Sequence, residues 1–374
     1  MNTANDFETA ASRTETVAEF DGHKRGFVHR LQHLLHTNPS LVPLIVLVLS
    51  TLGLGLYIDW EPIKVSLGIA RLEDVSNGSY RFFKSFTLTL ILQQVQIVGV
   101  LAAAQTLIIL TAGIDLSVGA IAVLCSVIMG QFTFRYGIPP TFSIMIGLAV
   151  GSAIGAVSGF LVSRIKLPPF IVTLGMWQIV LAANYLYSAN ETIRSQDIAA
   201  QASLLQFMGT KFTMGGATLT LGVISMLLIA FILAYALKST PWGRHVYAVG
   251  DDPEAAELAG VNRHRTLMSV YMLAGLICGF AGWVMIGRFS SVSPSATTGV
   301  IGNIQAITAV VIGGISLFGG RGSILGALFG ALIVGVFELG LRMAGADPQW
   351  TFLLIGVLII AAVAVDQWIR KVSI

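Results

Sequence analysis

Charge is scarce in this sequence. Asp, Glu, Lys and Arg make up 11% of the 374 residues while 55% are hydrophobic, against roughly 25% charged in an ordinary soluble domain, which excludes a water-soluble globule. Cysteine is nearly absent: Cys125 and Cys278 are the only two, and both lie in apolar runs. A disulfide framework or a thiolate metal cluster is therefore excluded, and the pair reads as small buried hydrophobes. No Gly-x-x-x-x-Gly-Lys-Ser/Thr loop is present to cradle a phosphate and no His-Glu-x-x-His pair to hold zinc. The six histidines, four of them in the first 40 residues, form no catalytic group. No cofactor or metal site is expected on this chain. The net charge of +3 is spread over scattered basic residues with no aromatic-interleaved patch, so nucleic acid is not an expected partner.

What the chain has instead is apolar runs. They fall at about residues 41–58, 85–111, 117–134, 141–163, 169–188, 217–237, 267–287, 304–318, 323–341 and 350–366. Each is near the ~20 residues that cross a hydrocarbon core of ~30 Å, and period-two alternation is missing, so the expected fold is an all-α, polytopic transmembrane bundle of about ten spans. The organisation predicted is a polar N-terminal tail (1–40), a membrane domain (41–366) and a short C-terminal tail (367–374). The first 40 residues lack an apolar core with a small-residue cleavage site, so no cleavable signal peptide is expected. Placing both termini in the cytoplasm puts 13 of the 22 Lys and Arg on the inner side and 9 outside, which favours that orientation. Trp60 and Trp350 then fall at outer span ends and Trp242 and Trp368 at inner ones, as aromatic belts.

Glycine spacing reports on packing. Gly147, Gly151, Gly155 and Gly159 stand four apart, as do Gly322, Gly326 and Gly330, giving smooth faces where helix backbones approach closely. A weak internal repeat accompanies them: Gly113-Ile114-Asp115-Leu116-Ser117-Val118-Gly119 is echoed by Gly314-Ile315-Ser316-Leu317-Phe318-Gly319-Gly320. Transporters are often built from two related halves. The span count makes the copies parallel, and a re-entrant or broken segment before one of them would make them inverted.

The longest inner connection, residues 238–266, carries a short helix in its wording. Asp252 is an N-cap, Pro253 suits the first helical position, Glu254 complements the positive end of the dipole, and Gly260 is a C-terminal stop. Such a helix over 253–259 is far below the ~12 residues that stand alone, so packing must hold it, against a cytoplasmic partner.

Glu254-Ala255-Ala256 followed by Gly260 resembles the start of the motif by which permease subunits of bacterial ABC importers dock their ATPases. The hydrophobic-Leu-Pro continuation of the general motif is missing, with Val270-Tyr271-Met272 near its place. Together with the segments Ala112 to Gly119 and Gly313 to Ser323, the chain resembles the ribose/xylose/fructose-type sugar permeases over about residues 85–366, closest in look to the fructose-import permeases of rhizobia. The resemblance implies ATPase coupling through Asp252, Pro253, Glu254, Ala255, Ala256 and Gly260, and a family motif at Gly113, Asp115, Leu116, Ser117 and Gly119. It also implies ten spans, a second permease copy, separate subunits holding ATP and Mg, a periplasmic sugar-binding protein and an inner-membrane location. A permease for branched-chain amino acids shares the docking logic and is the alternative.

Polar residues inside the spans are the remaining candidates. Asp115 falls at the cytoplasmic edge on the span count and reads as the cap of the helix beginning near Leu116, with gating or ATPase contact as the other role. The amides Gln93, Gln94, Gln96, Gln105, Gln178, Asn184, Asn303 and Gln305 can donate to and accept from sugar hydroxyls without fixing a charge, or bond helix to helix. Trp177 and Trp283 offer aromatic faces to a sugar or to packing. His245 and His264 read as solvated or dimer contacts, and Glu338 with Arg342 as an i, i+4 pair. A proton-coupled carrier would want paired intramembrane acids, which are sparse here.

Overall fold

In the computed structural model residues 40–67 and 80–370 are described. The N-terminal tail, the acidic pair Glu73 and Asp74, residues 371–374 and the Trp368 side chain lie outside that description. Helix α1 (Leu41–Ile58) leads into the short α2 (Trp60–Ser66). There follow α3 (Ser85–Leu110), α4 (Val118–Tyr136), α5 (Pro140–Ser163) and α6 (Pro169–Ser188). A connecting segment then holds α7 (Ser195–Gln201), a 3-10 turn (Ser203–Gly209) and an antiparallel hairpin of β1 (Lys211–Met214) and β2 (Ala217–Thr220). The chain continues as α8 (Leu221–Ser239), α9 (Pro241–Asp251), α10 (Pro253–Leu258), α11 (Arg263–Phe289), α12 (Ala296–Ile312), α13 (Ile324–Met343) and α14 (Pro348–Arg370).

Nine of these helices are long and apolar enough to cross a membrane, and α12 supplies a shorter apolar tenth, so the polytopic helical bundle stands. Proline sets the entries of α5 and α6, where Pro140 and Pro169 occupy the first helical position. Two span boundaries are corrected. The run at 304–318 is not one helix: α12 starts at Ala296 and stops at Ile312, where Gly314 turns to φ +73° and the Gly314 and Ile315 N–H groups bond back to Val311 and Val310. The apolar residues beyond it, Ile315 and Leu317, lie in a packed loop, which hydropathy does not separate from helix. The run at 217–237 likewise opens with strand β2 before α8. The segment from Ser85 is one unbroken helix to Leu110.

Helix α11 runs through the centre against α3, α4 and α5. The expected glycine face of α5 makes that contact: an added Cβ at Gly155 would lie 2.1 Å from the Tyr271 carbonyl oxygen, and one at Gly151 would lie 2.5 Å from that of Gly275. On α13, Gly326 and Gly330 approach Gly313 and Ala309 in the same way. Gly322 does not belong to that face. It stands before α13 with φ +133°.

Candidate functional site

Asp252 caps α10 as expected: its Oδ1 accepts from the N–H groups of Glu254 and Ala255 at 3.0 Å each, with Pro253 next in line. The other end closes as a Schellman turn. Gly260, at φ +85°, donates to Glu257, and Val261 donates to Ala256, satisfying carbonyls that a helix end leaves open. Ala256 is buried with Val249 and Leu267 against Ala248 and Val261, so one small residue roots the helix. Glu254, Ala255 and Glu257 face outward, and Leu258 is 90% exposed.

The helix before it, α9, is what joins this exposed element to the bundle. Its buried face is Gly243, Val246, Val249 and Gly250. At Gly250 three backbones meet. An added Cβ there would lie 1.8 Å from the Leu110 carbonyl oxygen and 2.8 Å from the Gly320 nitrogen, and Gly320 N–H itself donates to the Leu110 carbonyl at 3.0 Å. Gly319 packs on the Gly250 carbonyl oxygen and on Ala112, and the Tyr247 hydroxyl donates to the Gly322 carbonyl at 2.8 Å. Burial pushes the Tyr247 phenol pKa up, so it remains a donor at neutral pH. The second copy of the internal repeat is thus bonded to the end of α3, just before the first copy, with α9 wedged against both. Each copy ends its helix alike: Ala112 (φ +59°) and Gly314 (φ +73°) sit in the left-handed region, and each is followed by an N–H that bonds five residues back.

The loop between α3 and α4 dips into the bundle. Gly113 sits beside the Tyr271 hydroxyl, eight residues or about 12 Å along α11 from Arg263. Asp115 is 4% exposed, buried within the bundle. It does not cap α4 directly: its Oδ1 accepts from the Ser117 N–H at 2.6 Å and the Ser117 hydroxyl at 2.5 Å, bracing the N-cap residue. The Gln105 amide, turned with nitrogen toward the carbonyl, pairs with both backbone groups of Asp115 at 3.0 and 3.2 Å. Asn303 of α12 clamps the same turn, accepting from the Gly119 N–H and donating to the Leu116 carbonyl.

The amides therefore divide. Gln105 and Asn303 are consumed by backbone. Gln93 donates to the Thr218 carbonyl at 2.6 Å, and Gln96 donates to Gln93 and accepts from the Thr220 hydroxyl, tying α3 to β2. Asn184 donates to the Pro294 carbonyl at 2.9 Å and shares with Trp177 a void of about 10 Å³, room for one water; Gln178 is exposed. Among the described residues, only Gln94 and Gln305 of this set come together without a protein hydrogen bond. They line one cavity of about 210 Å³ between α3, α11 and α12, with Thr298, Gly119 and Gly302 on its wall.

Other expectations resolve structurally. Trp283 donates to the Leu204 carbonyl and stacks on Phe207. Trp242 donates to Ser269, so its ring packs on α11. The His264 ring meets the Ser163 hydroxyl at 2.7 Å. Asp59 was not singled out by the sequence, yet it is fully buried and its carboxylate accepts from the N–H groups of Arg81, Phe82 and Phe83, joining α1 to the start of α3. Tyr247 and Gly250 were also missed. A glycine and a tyrosine on the buried side of an otherwise polar helix are the signal that points to them.

A family model described as "Branched-chain amino acid transport system / permease component" matches residues 87–363. The chain is 62% identical over 369 residues, 98% of its length and 96% of the relative's, to the fructose import permease protein of Rhizobium meliloti. It is 35% identical over 294 residues to the ribose import permease protein of Escherichia coli K12, covering 78% of this chain and 89% of that one. It is 32% identical over 291 residues to the D-allose transport system permease protein of the same organism, covering 78% and 86%. No solved structure matches. The family match spans the described helices from α3 into α14 and takes in both repeat loops and the α9–α10 connection, so this chain belongs to the permease-component family of transport systems.

Proposed function

We propose that the chain is the membrane-spanning subunit of an ATP-binding cassette importer that carries a monosaccharide, fructose foremost, across the bacterial inner membrane. The substrate class follows the sugars that the relatives are named for importing. The observation that carries the mechanism is α10, a short helix closed at both ends and rooted in the bundle by Ala256, whose face of Glu254, Ala255, Glu257 and Leu258 is turned outward and open to a docking partner. ATP and Mg belong to that partner, the ATPase, which docks on Pro253, Glu254, Ala255 and the outward face beyond.

Movement of α10 reaches α9 through Ala256 and Val249. It then reaches both repeat loops through Gly250, Gly320 and Tyr247. Those loops precede α4 and α13, and Asn303 links the first of them to α12, so a push on one lever re-aims helices around the Gln94–Gln305 cavity. Alternating access needs such a two-state rearrangement. An unpartnered amide facing lipid is costly, so the α12 face carrying Gln305 and Ile301 is assigned to the passage, closed by a second copy of this chain. A sugar-binding protein delivers substrate on the far side of the membrane from α10.

The test is uptake by liposomes holding the chain with its partner ATPase and a sugar-binding protein, offered labelled D-fructose, D-ribose or L-leucine. ATP-dependent entry of a monosaccharide is expected. Entry of leucine in its place, or sugar entry that ignores ATP, overturns the reading.

A further inference from the structure

The short connection between α5 and α6, residues 164–168, meets the start of α11 on the side of the bundle that carries α10. The contact is the 2.7 Å bond between the Ser163 hydroxyl and the His264 ring, residues 101 positions apart. It gathers two basic pairs: Arg164 and Lys166 from the connection, and Arg263 and Arg265, which flank His264. Arg164, Lys166 and Arg265 are exposed and Arg263 is half-buried. None of the four enters an ion pair among the described residues, and the acids nearest to Arg263 along the chain, Glu254 and Glu257 of α10, reach none of them. The connection is also fixed in shape. Lys166 sits at φ +63° and the Leu167 N–H donates back to the Leu161 carbonyl at 3.2 Å, the bonding of a closed helix end.

Like charges held close together repel, and an anion between them removes that cost. What kind of anion is set by the residues in between. Arg164 and Lys166 alternate with Ile165 and Leu167, which are 51% and 41% exposed. The connection joins two spans, so these apolar side chains stand at the edge of the bilayer. A free phosphate or an acidic protein surface answers the charge and leaves the isoleucine and leucine unserved. A phospholipid answers both, with its phosphate at the cations and its acyl chains against the apolar pair. We propose that this patch binds an anionic phospholipid of the leaflet on the α10 side, its phosphate bridging the α5–α6 connection and the start of α11. The proposal needs the membrane fold alone and goes beyond the sugar-import reading.

Cys125 and Cys278 are fully buried, so an assembled transporter carrying Ile165→Cys takes a bimane fluorophore at one site. In phosphatidylcholine vesicles, either phosphatidylglycerol or a share of the phosphatidylcholine carries the same nitroxide on its acyl chain, and quenching reads which lipid lies beside position 165. A basic residue near an anionic surface is worth about fivefold in association. Phosphatidylglycerol is therefore expected to quench at a fraction at least about fivefold lower than phosphatidylcholine does. Adding Arg164→Gln and Lys166→Gln should cut that preference by about fivefold or more, whereas Arg164→Lys with Lys166→Arg keeps the charge and should retain it. Equal quenching by the two lipids, or a preference that survives the loss of both charges, overturns the proposal. A bimane quenched by neither lipid, as when the ATPase covers the patch, does the same. Native sugar uptake alongside any of these results leaves the import reading standing.

Discussion

Gly250→Ala adds one methyl group where three backbones converge. That carbon would lie 1.8 Å from the Leu110 carbonyl oxygen and 2.8 Å from the Gly320 nitrogen. Ordinary contact begins near 3.4 Å, so α9 has to retreat by about 1.6 Å to relieve the overlap. Neither neighbour can swing aside, because both are main-chain atoms already bonded to each other at 3.0 Å. Overpacking of this kind costs roughly 1–3 kcal/mol. The retreat also stretches the 2.8 Å Tyr247–Gly322 bond out of range, adding roughly 0.5–1.5 kcal/mol. A loss of about 1.5–4.5 kcal/mol is therefore expected. It would be read as a lower unfolding temperature of the purified transporter and, because the wedge is displaced, as slower ATP-dependent sugar uptake. Capture of the ATPase should persist, because the outer face of α10 is unchanged. A Gly250→Ala transporter with native stability and native uptake would refute the wedge and with it the route from lever to loops.

Three further outcomes follow from the same geometry. Asp252→Ala removes the acceptor of two N–H groups and should cost about 1 kcal/mol of local helix stability, seen as faster amide exchange across 254–258 and weaker stimulation of the ATPase. Asn303→Leu strands the buried Gly119 N–H and Leu116 carbonyl at roughly 1–3 kcal/mol each, so it should lower the unfolding temperature sharply even before transport is measured. Gln94→Leu and Gln305→Leu break no bond to protein; their stability should stay within about 0.5 kcal/mol of wild type while sugar uptake falls.

Span number and the caps of α10 were legible because each has a local cause. Apolar length announces a membrane helix, and Asp252-Pro253 with Gly260 writes both ends of a short one. The glycine face of α5 was legible for the same reason, since a four-residue period fixes one side of a helix whatever lies opposite. What the sequence could not supply was partnership. Gln94, Gln105 and Asn303 are chemically alike, yet only the fold decides that the second pairs with Asp115 backbone, the third clamps Gly119, and the first is left facing a cavity. The burial of Asp115 escaped because a packed loop and an exposed one have similar composition. The 304–318 boundary escaped because Ile315 and Leu317 are apolar in a turn as they would be in a helix. Gly322 had the right spacing for the α13 face, but its φ of +133° places it in the preceding loop.

The claim at the centre is that α10 is where another subunit's work enters this chain, and a cross-link from its most exposed side chain tests it most directly. In an assembled transporter with Leu258→Cys, a short bifunctional reagent is expected to join position 258 to the ATPase. A link that only holds the two together should leave ATP-dependent uptake possible, since α10 and its partner move as one. Position 258 linking to no ATPase would contradict the account.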